Sequence, residues 1–154
     1  FAYRMEGQAA DVVQAIQANL AGIGVKVELE GLESGAFLDK MGAGDLALFY
    51  VEWQADYNSV DTFLYPLFKS DQAQNVCHYT NQDVDDLLDK SRSTLNDKDR
   101  LETYNNAERM ILADAPLAPV VFGQDVMVYS TRVTKFAHTS LGDLALNEIT
   151  VSDK

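Results

Sequence analysis

Two hydrophobic periods trade places along the first third of the chain. Residues 1–5 (Phe-Ala-Tyr-Arg-Met) alternate in polarity until Gly7 breaks the run, which is the pattern of a short strand. From Ala9 to Ala21, Val12, Val13, Ile16 and Leu20 fall on one face of a helix, and Gly22 and Gly24 stop it. Val25, Val27 and Leu29 then alternate with Lys26, Glu28 and Glu30, predicting a strand with one covered face. Ser34 can cap a second helix whose inner face is Phe37, Leu38 and Met41, ended by Gly42 and Gly44. Residues 46–51 (Leu-Ala-Leu-Phe-Tyr-Val) form a continuous apolar run too short for most helices. Such a run reads as a strand covered on both faces. Strand alternating with helix predicts an α/β layer with parallel pairing and right-handed crossovers.

Helical patterning dominates the next stretch. Residues 54–58 read as a loop and 61–68 as a short helical turn. A clearer helix begins at Asn81, with Val84, Leu87, Leu88 and Leu95 on one face. Asp83, Asp85 and Asp86 sit near its N-terminal end, where the helix dipole favours carboxylates. Asp97 can cap a further helix lined by Leu101, Tyr104, Ala107, Ile111 and Leu112, and Pro116 follows where a helix cannot continue. Residues 117–122 and 126–130 are predicted as two strands of a hairpin around Gly123 and Gln124, with Pro119 confining the first to an edge or a strand start. The tail, 131–154, is weakly patterned. With no repeat, low-complexity segment or linker, residues 1–154 are expected to form a single unit.

Charge narrows the functional classes. The chain carries 24 Asp and Glu against 12 Lys and Arg, a formal net charge of −12 over 154 residues. A nucleic-acid binder needs cations to displace counterions along phosphates, and no basic patch exists here. The same acidity argues against docking on anionic lipid headgroups. Cys77 is the single cysteine, so no intrachain disulfide can form, and the compartment stays open. No stretch approaches the roughly 18 apolar residues of a membrane span. The chain opens at Phe1 in strand-like sequence with neither Met nor a signal peptide, which suggests a piece of a longer protein.

Catalytic patterns are missing. Gly22, Gly24, Gly42 and Gly44 punctuate helix ends and lack the residues of a phosphate loop. No Ser stands between glycines at the spacing of a nucleophile elbow. Cys77 and His78 are adjacent, His138 is distant, and a zinc site wants three or four convergent ligands. Residues 56–61 begin like a calcium loop, but Asp61 occupies the position that needs Gly and Leu67 the position that needs Glu. No catalytic residue, metal site or cofactor is therefore expected. The segment that stands out is Trp53-Gln54-Ala55-Asp56-Tyr57-Asn58, directly after the run at 46–51. Ligands of open α/β sheets gather at the carboxyl ends of strands. An Asp there can hold an ammonium group by a charge-assisted hydrogen bond, and aromatic side chains supply contact area. Alternatively, Asp56 makes an Asx turn and Trp53 fills core.

At this segment the chain resembles a known family. Trp53 to Leu64, WQADYNSVDTFL, is similar to the ligand-anchoring segment of the oligopeptide- and dipeptide-binding proteins, solute-binding family 5. Residues 15–20 with Ile23, Gly24 and Val25 resemble its helix-to-strand junction, and 78–81 with 84–89 its next helix. Tyr104, Ala107, Glu108, Ala115, Pro116 and Pro119 resemble the helix and hairpin that follow, so the likeness runs over nearly the whole chain.

The resemblance implies the C-terminal lobe of a type II periplasmic-binding-protein fold, a mixed, mostly parallel sheet flanked by helices. Residues 131–154 would return toward a missing N-terminal lobe of the same protein. It implies a monomeric, non-enzymatic receptor in the periplasm or on the cell surface as a lipoprotein, delivering peptides to an ABC permease in the membrane. Asp56 would bind the ligand's α-amino group, with Trp53, Gln54, Ala55, Tyr57 and Asn58 around it. Some relatives carry an Arg shortly before the Trp to meet a ligand carboxylate; here Tyr50, Val51 and Glu52 stand there. Alternatives with the same fold are the sensing domain of a transcription regulator, or a receptor for a nickel complex, haem or a sugar.

Overall fold

The structure is a computed structural model that describes residues 1–124 and 126–152. The chain divides into two compact units, 1–54 with 73–78 and 55–72 with 79–154.

The first unit is built on a three-stranded parallel sheet in the order β2-β1-β3, with β1 at Ala2–Arg4, β2 at Glu30–Leu32 and β3 at Phe49–Tyr50. Ala2 is in register with Glu30 on one side and Phe49 on the other. The helices α1 (Ala9–Gly22) and α2 (Ser34–Gly42) make the two crossovers, as the alternating periods predict. Val13 of α1 and Phe37 of α2 are the fully covered anchors, and Phe37 meets Phe49 edge-on at 6.4 Å. That aromatic contact ties α2 to β3 by area and ring geometry together.

Three details differ from the sequence-based expectation. The second strand lies at 30–32, not 25–29, because the Glu30 N–H already bonds to the Phe1 carbonyl and the residues before it have no strand alongside. The apolar run 46–51 contributes only two residues to the sheet, at its edge, so Leu48 and Val51 stay half exposed instead of covered on both faces. Glu33, not Ser34, precedes α2, and no side chain caps it.

The second unit packs three helices: α3 (Asp61–Phe68), α4 (Gln82–Ser93) and α5 (Asp97–Asp114). Leu64, Phe68, Tyr79, Val84, Leu88, Tyr104, Ala107 and Ile111 form its core. Asn81 caps α4, its side-chain oxygen accepting from the N–H groups of Asp83 (3.0 Å) and Val84 (3.3 Å). Asn96, not Asp97, caps α5 in the same way. Leu95 lies past the end of α4 and is 95% exposed, while Leu101 and Leu112 flank the buried stripe of α5 and are half exposed.

The predicted hairpin over 117–130 is absent: none of its described residues joins a strand, and Phe122 and Val128 are more than nine-tenths exposed. Strand-forming residues prepare a segment for a ladder but cannot supply the partner, and Pro119 has no N–H to give. The weakly patterned tail instead forms an antiparallel pair, β4 (Val133–Lys135) with β5 (Thr150–Val151).

Candidate functional site

The six residues singled out in the sequence fall in both units. Trp53 and Gln54 close the first stretch of unit one, and Ala55, Asp56, Tyr57 and Asn58 open unit two. Within unit one, a cleft of about 400 Å³ lies at the carboxyl ends of β1 and β3. Its lining includes Arg4, Phe37, Met41, Tyr50, Glu52 and Trp53. Arg4 pairs with Glu6 at 3.0 Å, and the Tyr50 hydroxyl donates to Glu52 at 2.9 Å. Arg4, a cation of this lining, is thus already paired with an acid. Trp53 stands over this cleft, 37% exposed, and does not fill the core.

In unit two, residues 56–60 are all exposed. The Asp56 carboxylate makes no hydrogen bond or ion pair to the described residues of its unit, but its backbone N–H donates to Thr62 Oγ1 at 3.1 Å. The Asp61 N–H donates to Ser59 Oγ at 3.2 Å, and the Ser59 N–H to the Tyr57 carbonyl at 2.8 Å. The loop is thereby stitched to the first turn of α3.

That turn carries a feature the sequence did not announce. Asp61 is 8% exposed, and its carboxylate accepts four hydrogen bonds. Arg92 of α4 supplies two, Nε to Oδ1 at 2.9 Å and Nη2 to Oδ2 at 2.7 Å. The Tyr57 hydroxyl donates to Oδ2 at 2.5 Å and the Tyr104 hydroxyl of α5 to Oδ1 at 2.8 Å. The Arg92 guanidinium lies 3.2 Å from the centre of the Tyr65 ring, a cation–π contact. Burial pushes the Asp61 carboxyl up, but hydrogen bonds from Arg92, Tyr57 and Tyr104 prevail and hold it at about 2. Burial first, then the bond to Asp61, raises the Tyr104 phenol; Tyr57, more exposed, is raised chiefly by its bond to Asp61.

Sequence reading placed Asp61 at a helix start and rejected it as a calcium ligand, and it gave Arg92 and Tyr104 no joint role. The signal available was weak: an Asp in a first turn is ordinarily explained by the helix dipole. Among the described residues no three acidic, His or Cys side chains come together as a metal site, and no helix is long and apolar enough to cross a membrane. Cys77 is exposed, with its thiol pushed up by partial burial, a poor setting for a reactive thiolate.

Residues 1–75 match the family described as bacterial extracellular solute-binding proteins, family 5 Middle. The likeness to individual proteins extends further. The chain is 36% identical over 100 residues to a probable deoxycholate-binding periplasmic protein, YgiS, of Escherichia coli strain K12, covering 65% of this chain and 18% of that protein. It is 28% identical over 137 residues to the glutathione-binding protein GsiB of the same strain, covering 83% of this chain and 27% of that one. The structure of the ABC transporter-associated periplasmic binding protein DppA from Helicobacter pylori, in complex with the peptide STSA, superposes with a TM-score of 0.82 at 26% identity. That match covers 98% of this chain and 30% of the other. The fold is therefore the mixed α/β fold of part of a type II periplasmic binding protein, and the chain spans less than a third of these relatives' length. The family is a solute-binding one.

Proposed function

We propose that this chain is part of the C-terminal lobe of an extracytoplasmic receptor that binds peptides for an ABC importer, and that it acts by binding without turnover. Its remaining lobe would belong to the same polypeptide, residues 131–154 returning toward it, and the closed monomer would dock on the membrane permease. The relatives named above are binding proteins, which favours transport over regulator sensing. The observation that carries the peptide reading is Asp56: an exposed carboxylate unpaired within its own unit, on a loop whose main chain is fixed by Thr62. A carboxylate so presented suits a ligand ammonium, and Ala55, Tyr57 and Asn58 of the same unit would line the ligand around it.

A second reading is a bile-acid-like ligand, favoured by the 36% identity to YgiS. The two differ in sign, because Asp56 attracts an ammonium and repels a carboxylate. Calorimetric titration of the full-length receptor with trialanine and with deoxycholate separates them. Asp56→Ala should weaken trialanine by about 1–3 kcal/mol, the scale of a lost charged hydrogen bond. An unchanged dissociation constant removes Asp56 from the site, and tight deoxycholate binding with none of trialanine replaces the peptide reading.

A further inference from the structure

We propose that Asp61, Arg92 and Tyr104 are positioning residues: their hydrogen-bonded cluster holds the 56–60 loop so that the Asp56 carboxylate meets a ligand ammonium in one preset orientation. This rests on the reading of Asp56 as the ammonium anchor. Every residue from 56 to 60 is exposed, so core packing cannot fix the loop. Hydrogen bonds must do so, and they converge on the start of α3. Thr62 holds the Asp56 N–H, Ser59 accepts from the Asp61 N–H, and the Asp61 carboxylate accepts the Tyr57 hydroxyl.

A carboxylate can serve as that fixed point only if it is itself immobile. Arg92 grips both Asp61 oxygens, and Tyr104, 4% exposed, bonds one of them from within the core. The loop's geometry is thereby referred to two helices far along the chain. The arrangement also separates the work of two acids five positions apart in sequence. Asp61 is buried and neutralised by Arg92, so it does not compete for a ligand cation. Asp56 keeps its charge open. Fixing a binding group beforehand removes the ordering cost that binding would otherwise carry.

The test uses the full-length receptor, its Arg92→Gln and Tyr104→Phe variants, and two probes, trialanine and N-acetyl-trialanine. Neither substituted residue lies in the loop. Wild type should prefer the free amine by about tenfold or more, the value of a charged hydrogen bond. In both variants that preference should fall by about threefold or more, and exchange of the Asp56 amide in ligand-free protein should quicken by about tenfold. Should Arg92→Gln fail to fold, Tyr104→Phe decides, since it deletes one hydroxyl and keeps the ring. Equal weakening of both peptides, with the preference and the Asp56 exchange rate intact, overturns the positioning role and leaves Asp56 as anchor. A wild type that binds both peptides alike, or neither, overturns the anchor reading and this inference with it.

Discussion

Replacing Asp61 by Asn tests the energetic centre of the helical unit. The side chain keeps its size, so no cavity forms, and only charge and acceptor count change. Asp61 offers one full charge to a bidentate Arg92 and accepts two phenols besides. An amide has one oxygen, so at least one Arg92 N–H and one tyrosine hydroxyl must find other partners. Where that hydroxyl is Tyr104's, 4% exposed, stranding it costs about 1–3 kcal/mol. Arg92 is 45% exposed and can turn to water, which limits its share. The expected loss at pH 7 is about 2–4 kcal/mol.

The pH dependence gives an independent figure. The Asp61 carboxyl is held at about 2 against an ordinary 3.8. At about 1.4 kcal/mol per tenfold change in proton affinity, that is roughly 2 kcal/mol. The folded value lies below the unfolded one, so this stability is complete above about pH 4 and is lost as pH falls toward 2. Urea unfolding of the intact protein and of Asp61→Asn, followed by circular dichroism at pH 7, 5 and 2.5, measures both. The gap between the two proteins should be widest at neutral pH and narrow on the acid side. A gap under 1 kcal/mol at pH 7, or one indifferent to pH, refutes the reasoning.

Asn81→Ala should cost about 1–2 kcal/mol in the same urea experiment, since it uncaps α4 and also removes the Asn81 bond to Asp114; a loss of only a few tenths would mean that water replaces the cap. Burial first, then the bond to Asp114, pushes the Tyr79 phenol up to about 12 against an ordinary 10. Its stabilising share is complete below pH 10 and fades as pH rises toward 12, so Tyr79→Phe should flatten the alkaline limb of the stability curve, and an unaltered limb would contradict this assignment.

The helices were legible because their signals are local. Val12, Val13, Ile16 and Leu20 mark α1, Asn81 sits where α4 starts, and the stripe through Tyr104, Ala107 and Ile111 marks α5. The strands were less so. Residues 25–29 carry a strand's alternation, yet pairing begins at Glu30, because a ladder depends on where its neighbour runs. Residues 117–122 and 126–130 are rich in strand formers, yet none of the described residues there joins a strand.

Local patterning is enough to read the alternation of helix and strand that makes a parallel α/β layer, the acidity that argues against nucleic acid, and the motif around Asp56 that resembles a ligand anchor. It takes the packed helices to show that Asp61 is buried and paired, while the Asp56 side chain is exposed. Both are acids standing between the apolar runs 46–51 and 63–68, five positions apart. What separates them is the arrival of Arg92 and Tyr104, 31 and 43 positions later. A carboxylate's role follows from which charges and hydroxyls surround it, and contacts at that sequence separation are set by helix packing, not by any local period.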